Sequence, residues 1–314
     1  YMLSTLNVVL PVFALILVGW LARKLKILGE TALTELNRFV VYLALPALLF
    51  DIIANAMWAD LAQPAFISAF SIGMMVVFFL TLFVQLRRTR HLADAAIDAL
   101  NAGYANTGFI GFPLVIVFLG HEALAPTLIA TILTVSVLFG IGIIIIETGL
   151  QGEVKRRIIF TRVAKSLIKN PLLVSPAIAI CIPLSGLTVP DSINVFLKLL
   201  GGAASPCALI ALGLFLAGQS DKRTNNDNFT VTLLVVLKLL IQPALTWWFA
   251  TKVFHLSPLL VHTAVLLAAL PTGTGPFMLA EFYRREASTT SKCVLVSTVL
   301  SMFTLSAYLY TIGL

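Results

Sequence analysis

Residues Pro258–Phe282 read PLLVHTAVLLAALPTGTGPFMLAEF. The stretch is long and apolar enough to cross a bilayer, which takes about 20 residues as a helix. Its middle cannot be a regular helix. Pro271, Thr272, Gly273, Thr274, Gly275 and Pro276 place two prolines and two glycines in six residues. Proline removes an N–H and its ring clashes with the carbonyl four residues back, and glycine weakens the same turn. Unpaired backbone is not tolerated against lipid. It persists only where protein covers it or where it lines a wet cavity. Such a break leaves two half-helix ends near mid-membrane, an N-terminus that is partly positive and a C-terminus that is partly negative.

A second stretch has the same character. Asn106-Thr107-Gly108-Phe109-Ile110-Gly111-Phe112-Pro113 interrupts the apolar run Ala95–Leu119 with two glycines and a proline. Two breaks of opposite direction that cross would bring both kinds of helix end to one place, and anionic groups dock on helix N-termini. The plainer alternative is a pair of kinks in packed helices. The correspondence of the two positions favours a site.

The rest of the chain fits a polytopic α-helical membrane protein. Of 314 residues, 59% are apolar and 11% charged, less than half the roughly 25% of a soluble domain. Besides the two interrupted stretches, apolar windows run over Ser4–Ala22, Leu36–Asn55, Ala65–Leu86, Leu124–Glu147, Pro171–Pro183, Gly201–Gln219, Thr230–Phe254 and Thr289–Ile312, making ten candidate spans. The first lacks the basic start and small-residue cleavage site of a signal peptide. The alternating ten-residue segments of a β-barrel are not visible. Cys181, Cys207 and Cys293 all lie in apolar segments and read as small core residues, without disulfide or zinc spacing. No histidine has metal-ligand company, and no cofactor is expected.

The basic residues set an orientation. All of the 21 lysines and arginines except Lys198, Lys238 and Lys252 fall on one side of the ten-span reading. They include Arg23, Lys24, Lys26 and Arg38, then Arg87, Arg88 and Arg90, then Lys155, Arg156, Arg157, Arg162, Lys165 and Lys169. Lys222, Arg223, Arg284, Arg285 and Lys292 complete the set. By the positive-inside rule that side is cytoplasmic and both termini are outside. The formal charge of +7 is then a topology signal and calls for no nucleic acid. The loop 148–170 divides the chain into residues 1–147 and 171–314, five spans each. An odd number of spans per half makes any repeat an inverted one. Pro46 and Pro206 in the second span of each half, and the two breaks in the fourth, are its visible traces.

These residues resemble the auxin efflux carrier family, which includes the plant PIN-formed carriers and bacterial malate and malonate permeases. Leu36-Asn37-Arg38-Phe39-Val40, Ala44-Leu45-Pro46, Asn106-Thr107 with Gly111-Phe112-Pro113, Lys238 five before Pro243, and Ala269-Leu270-Pro271-Thr272-Gly273 follow in that family's order. The resemblance implies ten transmembrane helices in two inverted five-helix repeats. Helices 4 and 9 would be broken and cross, as in sodium/proton antiporters. It also implies a scaffold of spans one, two, six and seven that forms a homodimer, and an elevator-like mobile unit of the others. The short central loop favours the bacterial branch and a cell (inner) membrane location. A histidine common in the plant sequences is Asp51 here.

Candidate site residues follow. Asn106 offers two donors and an acceptor at the break. By resemblance it contacts a substrate carboxylate, and its alternative is to cap broken backbone. Thr107, Gly108, Pro113, Pro271, Thr272, Gly273, Thr274, Gly275 and Pro276 complete the expected substrate site. Lys238 is the one basic residue well inside a span. Intramembrane charges are expensive and usually functional, so Lys238, with Gln242 one turn on, is expected to balance half-helix C-termini; the alternatives are that it titrates or touches the substrate, or that it snorkels to a headgroup. Asp51 and Asp98 are candidate proton carriers, Asp98 sharing a face with Asn101. Asp98 is read as a solvated helix start and Asp51 as solvated at the outer end of its span. Glu147 and Glu281 are read as surface pairs. Enzyme motifs such as H-E-x-x-H, G-x-S-x-G and the P-loop are absent. The leading function is a secondary transporter of a small organic anion, with proton coupling as an option. A channel or a membrane sensor is the second reading.

Overall fold

The computed structural model describes residues 2–57, 62–89, 91–151, 165, 167–218 and 225–313. Twelve helices are delimited within these described residues. They are α1 (Met2–Lys24), α2 (Ala32–Ala54), α3 (Pro64–Thr89), α4 (Leu92–Gly103), α5 (Thr107–Leu119), α6 (His121–Gly149), α7 (Pro171–Ser185), α8 (Asp191–Gly218), α9 (Asn228–Val253), α10 (Pro258–Ala268), α11 (Gly275–Tyr283) and α12 (Ala287–Thr311). Six of them, α2, α3, α6, α8, α9 and α12, are long and apolar enough to span a membrane, and α5, α7 and α10 are shorter apolar helices. The ten windows read from sequence thus appear as long rods and short pieces, because two windows are split at their breaks. Arg90, Lys155, Arg156, Arg157, Arg162, Lys222 and Arg223 of the orientation argument lie outside the described residues, as does most of the central loop.

Prolines shape the rods. Pro46, Pro113 and Pro243 each sit two residues past the end of a widened π turn, over Val40–Ala44, Thr107–Gly111 and Leu237–Ile241. A proline has no N–H to donate to the preceding turn, and a local π adjustment absorbs the missing bond. Asn170 caps α7 by accepting from Leu172 N at 3.0 Å, with Pro171 at the first helical position, where its missing N–H costs nothing. The eighth rod begins ten residues before the sequence window Gly201–Gln219. Asp191, Ser192, Asn194 and Lys198 lower the hydropathy of that first part without preventing a helix.

The helices sort into two groups. In one, α1 lies along the second half of α8, and α2 packs on α7 and on the first half of α8. In the other, α3 packs on α4, α4 on α6, α9 on α3, α10 and α12, and α10 on α6. Within the first group α1 and α8 approach through glycines. A Cβ on Gly213 would overlap the Ile16 carbonyl oxygen and lie 2.7 Å from Trp20 N, and one on Gly19 would overlap the Ile210 carbonyl. Small residues permit this close approach in membrane bundles. Of the cysteines, Cys293 alone is fully buried; Cys207 is half-buried and Cys181 exposed, which corrects the reading of all three as core.

Candidate functional site at the helix crossover

Two chain breaks meet between the helix groups. The segment 104–106 separates α4 from α5, and 269–274 separates α10 from α11. Ala105 and Thr272 pair as a single antiparallel bridge. Asn106 N–H donates to Pro271 C=O at 2.9 Å and Gly273 N–H to Tyr104 C=O at 3.0 Å. The exposed backbone of each break is thus covered by the other, which is the condition for irregular chain at membrane depth.

The C-terminal ends are closed by side chains. Lys238 Nζ donates to Ala268 C=O, the last residue of α10, at 2.6 Å. Gln242 Nε2 donates to Gly103 C=O, the last residue of α4, at 3.1 Å. One turn of α9 therefore caps both half-helices, and both side chains are fully buried. Thr272 adds a third contact, its Oγ1 donating to Asn101 C=O at 2.8 Å, while its N–H donates to Ser297 Oγ at 3.0 Å. Lys238 does not snorkel.

The N-terminal ends stay open. Ile110 and Gly111 N–H both donate to Asn106 C=O, at 3.1 and 3.2 Å, and Thr107 N–H to Ala105 C=O at 2.8 Å, so the amides of Gly108 and Phe109 lie before the first intrahelical bond of α5. In α11 the Met278 N–H bonds Thr274 C=O at 3.1 Å, and Gly275 lies before it. Gly108, Phe109, Thr274 and Gly275 all line a cavity of about 140 Å³, together with Asn106 and Thr107. Asn106 is 6% exposed, and Thr107 Oγ1 is buried without a hydrogen-bond partner among the described residues. The far wall is apolar or small: Leu45, Leu48 and Leu49 of α2, and Gly201, Gly202 and Ser205 of α8. No charged side chain lines the cavity among the described residues. A cavity of roughly 150 Å³ holds a benzene-sized molecule.

The predicted residues divide by place. Asn106, Thr107, Gly108, Thr274 and Gly275 surround the cavity; Pro271, Thr272 and Gly273 form the paired backbone behind it. Pro276 is buried in α11, and Pro113 is exposed on α5, away from the lining. Asp51 stands at the far end of α2, where its Oδ1 accepts from Asn55 Nδ2 at 2.8 Å. Asp98 is 1% exposed and accepts from Gln85, which corrects the solvated helix start. Glu147 is likewise buried and accepts from Tyr283 Oη at 2.7 Å, which corrects its reading as a surface residue. Tyr104 was not foreseen. It lines the cavity beside Phe139, with ring centroids 5.5 Å apart, and its ring fills the space over Gly273 and Gly275, where a Cβ would come within 2.7 and 2.8 Å. Its one sequence signal is an aromatic residue two before Asn106.

Comparison with known proteins places the chain in a family. A family model described as Membrane transport protein matches residues 4–309. The "Putative malonate transporter" of Rhizobium meliloti (strain 1021) is 29% identical over 98% of this chain and 95% of its own length. The lysosomal cholesterol signaling protein of Mus musculus is 27% identical over 96% of this chain, which corresponds to 37% of the mouse protein. Auxin efflux carrier component 8 of Arabidopsis thaliana is 30% identical over 41% of this chain and 35% of its own length. The match over residues 4–309 shows that this chain belongs to the membrane transport protein family of the auxin efflux carriers, and that it is a multi-pass membrane transporter rather than an enzyme.

Proposed function

We infer that the protein is a secondary transporter of small carboxylates, of the malonate or malate type, which binds its substrate at the crossover and works by alternating access. The carrying observation is the cavity onto which both half-helix N-termini open while both C-termini are capped. Partly positive helix ends and neutral donors then face the ligand, and a carboxylate is the common small group that suits them. The name of the rhizobial relative favours a dicarboxylate, and the cavity size agrees with a short one. The same reading takes residues 1–147 and 171–314 as two inverted five-span repeats joined by the cytoplasmic loop 148–170. It takes α1, α2, α7 and α8 as a dimerising scaffold in a cell membrane, with both termini outside.

Two measurements test it. In proteoliposomes, saturable malonate uptake with counterflow marks a carrier; flux without counterflow would mark a channel, and ligand binding without flux a sensor. Asn106→Ala is expected to weaken malonate binding about ten- to a hundredfold, the loss of one or two buried hydrogen bonds, with unchanged thermal unfolding. Normal affinity in that variant removes Asn106 from the site. For orientation, a single cysteine at Gln151 in a cysteine-free background is expected to react with a membrane-impermeant maleimide only after permeabilisation. Ready labelling of intact cells would reverse the topology.

A further inference from the structure

A second polar group lies on α4 before the break, outside the cavity lining. Asp98 and Asn101 share a face at i, i+3, and they are 1% and 0% exposed. Gln85 Nε2 on α3 donates to Asp98 Oδ2 at 2.6 Å, and Asn101 Nδ2 donates to Thr290 Oγ1 on α12 at 2.9 Å. The other oxygen of each side chain, Asp98 Oδ1 and Asn101 Oδ1, is buried with no donor among the described residues. Two acceptors without a donor on one buried face are short of a hydrogen. A buried ionised carboxylate facing one amide donor costs several kcal/mol. The neutral acid carries an O–H, the kind of donor that Asn101 Oδ1, one turn along the same face, lacks. Neither Asp98 nor Asn101 lines the crossover cavity.

The pair is linked in both directions. Arg88, exposed near the end of α3, donates to Gln85 Oε1 at 3.2 Å, which connects Asp98 to solvent. Asn101 C=O receives Thr272 Oγ1, and Thr272 is half of the bridge between the two breaks. The charges acting on Asp98 are Glu286 and Asp94, both negative, and Arg88; the Cys293 thiol of α12 is also near. Asp94 is engaged by Arg285 at 2.5 and 2.8 Å. Lys238 on α9 is committed to Ala268, and Glu147 on α6 accepts from Tyr283.

We propose that Asp98 and Asn101 bind the proton that travels with the anion, held on Asp98 Oδ1 and shared with Asn101 Oδ1. The proposal rests on the reading of the crossover as an anion site. An anion at the half-helix N-termini and a carboxylate further back on α4 repel each other in a low-dielectric interior, so each favours the other's neutral or empty partner state. Anion and proton therefore bind together, and by linkage each raises the affinity for the other. The result is symport.

One test needs no substrate. The infrared difference spectrum of purified protein at neutral pH, parent minus Asp98→Asn, is expected to contain the carbonyl stretch of a protonated carboxyl. Its absence overturns the proposal; this is what a rotated Asn101 amide, donating to an ionised Asp98, would give. The second test uses proteoliposomes. The parent is expected to accumulate malonate about tenfold or more under an imposed inward proton gradient without sodium. Asp98→Asn, isosteric with the neutral acid, is expected to exchange malonate for malonate while losing that accumulation. Accumulation at the parent level in the variant, or a dependence on sodium instead of pH, overturns proton binding. If the parent neither binds nor exchanges any carboxylate, the anion reading of the crossover fails, and the infrared band still decides whether Asp98 holds a proton.

Discussion

Lys238→Ala is expected to cost about 2–5 kcal/mol of stability without any substrate present, the range for truncating a long buried side chain. Three effects act together. The Ala268 carbonyl loses its buried donor, worth about 1–3 kcal/mol. The C-terminus of α10 loses its facing donor, worth up to ~2 kcal/mol if that donor is charged. The stem leaves a void in a fully buried place. Lys238→Met separates these, since it keeps most of the volume and removes only the amine; it should lose about 1–3 kcal/mol. Lys238→Arg restores a donor but brings a longer, planar head into a closed space, and overpacking of that kind costs roughly 1–3 kcal/mol. Thermal unfolding of the three variants in detergent checks the order. An alanine variant as stable as the parent would mean that the 2.6 Å contact to Ala268 carries no net energy.

Gly213→Leu is expected to abolish folding, and Gly213→Ala to lower the unfolding temperature markedly. The added Cβ meets backbone, the Ile16 carbonyl and Trp20 N, so no side chain can rotate away. Helices α1 and α8 must separate along their whole contact, and overpacking typically costs about 1–3 kcal/mol and occasionally more. Gly202→Ala in the same helix is the control. Nothing lies within 4 Å of the position its Cβ would take, and exchange of a helical glycine for alanine stabilises by about 0.5–1 kcal/mol. Fluorescence-detected size-exclusion and thermal unfolding read both. Equal behaviour of Gly213→Ala and Gly202→Ala would refute the close crossing.

The breaks were legible because proline and glycine act locally. Pro271, Gly273, Gly275 and Pro276 together disfavour one continuous helix through 271–276, and the structure ends α10 at Ala268 and starts α11 at Gly275, with Pro276 in its first turn, where a missing N–H costs nothing. Lys238 was legible because an amine inside an apolar run needs a partner. Its partner was not, since Ala268 lies 30 residues away and any carbonyl at a half-helix end would have satisfied the argument. Asp98 was misjudged for the opposite reason. Its distance from the start of α4 resembles a solvated helix end, but burial there is set by packing against α3, which brings Gln85 onto Asp98, and against α12, which brings Thr290 onto Asn101. The early start of α8 was hidden by a few polar residues in a long helix. Tyr104 was missed because its role is to fill the space that two distant glycines leave, and sequence spacing carries no such information.

The double cap on α9 limits how the crossover can be taken apart. Parting α9 from α4 or α10 uncovers Gly103 or Ala268 C=O, and an unpaired polar group in hydrocarbon costs several kcal/mol. Parting α5 from α11 breaks the pairing of Ala105 with Thr272. These ties form a closed loop of constraints, so no member can slide alone. The opposing wall, Leu45, Leu48 and Leu49 with Gly201 and Gly202, offers apolar and small surfaces that slip without losing a directed bond. Shear is therefore cheapest along that wall. On the alternating-access reading, a cargo seated at the crossover would ride with α4, α5, α9, α10 and α11 as a fixed passenger of one solid block, and the membrane would meet the same covered backbone at every stage of the stroke.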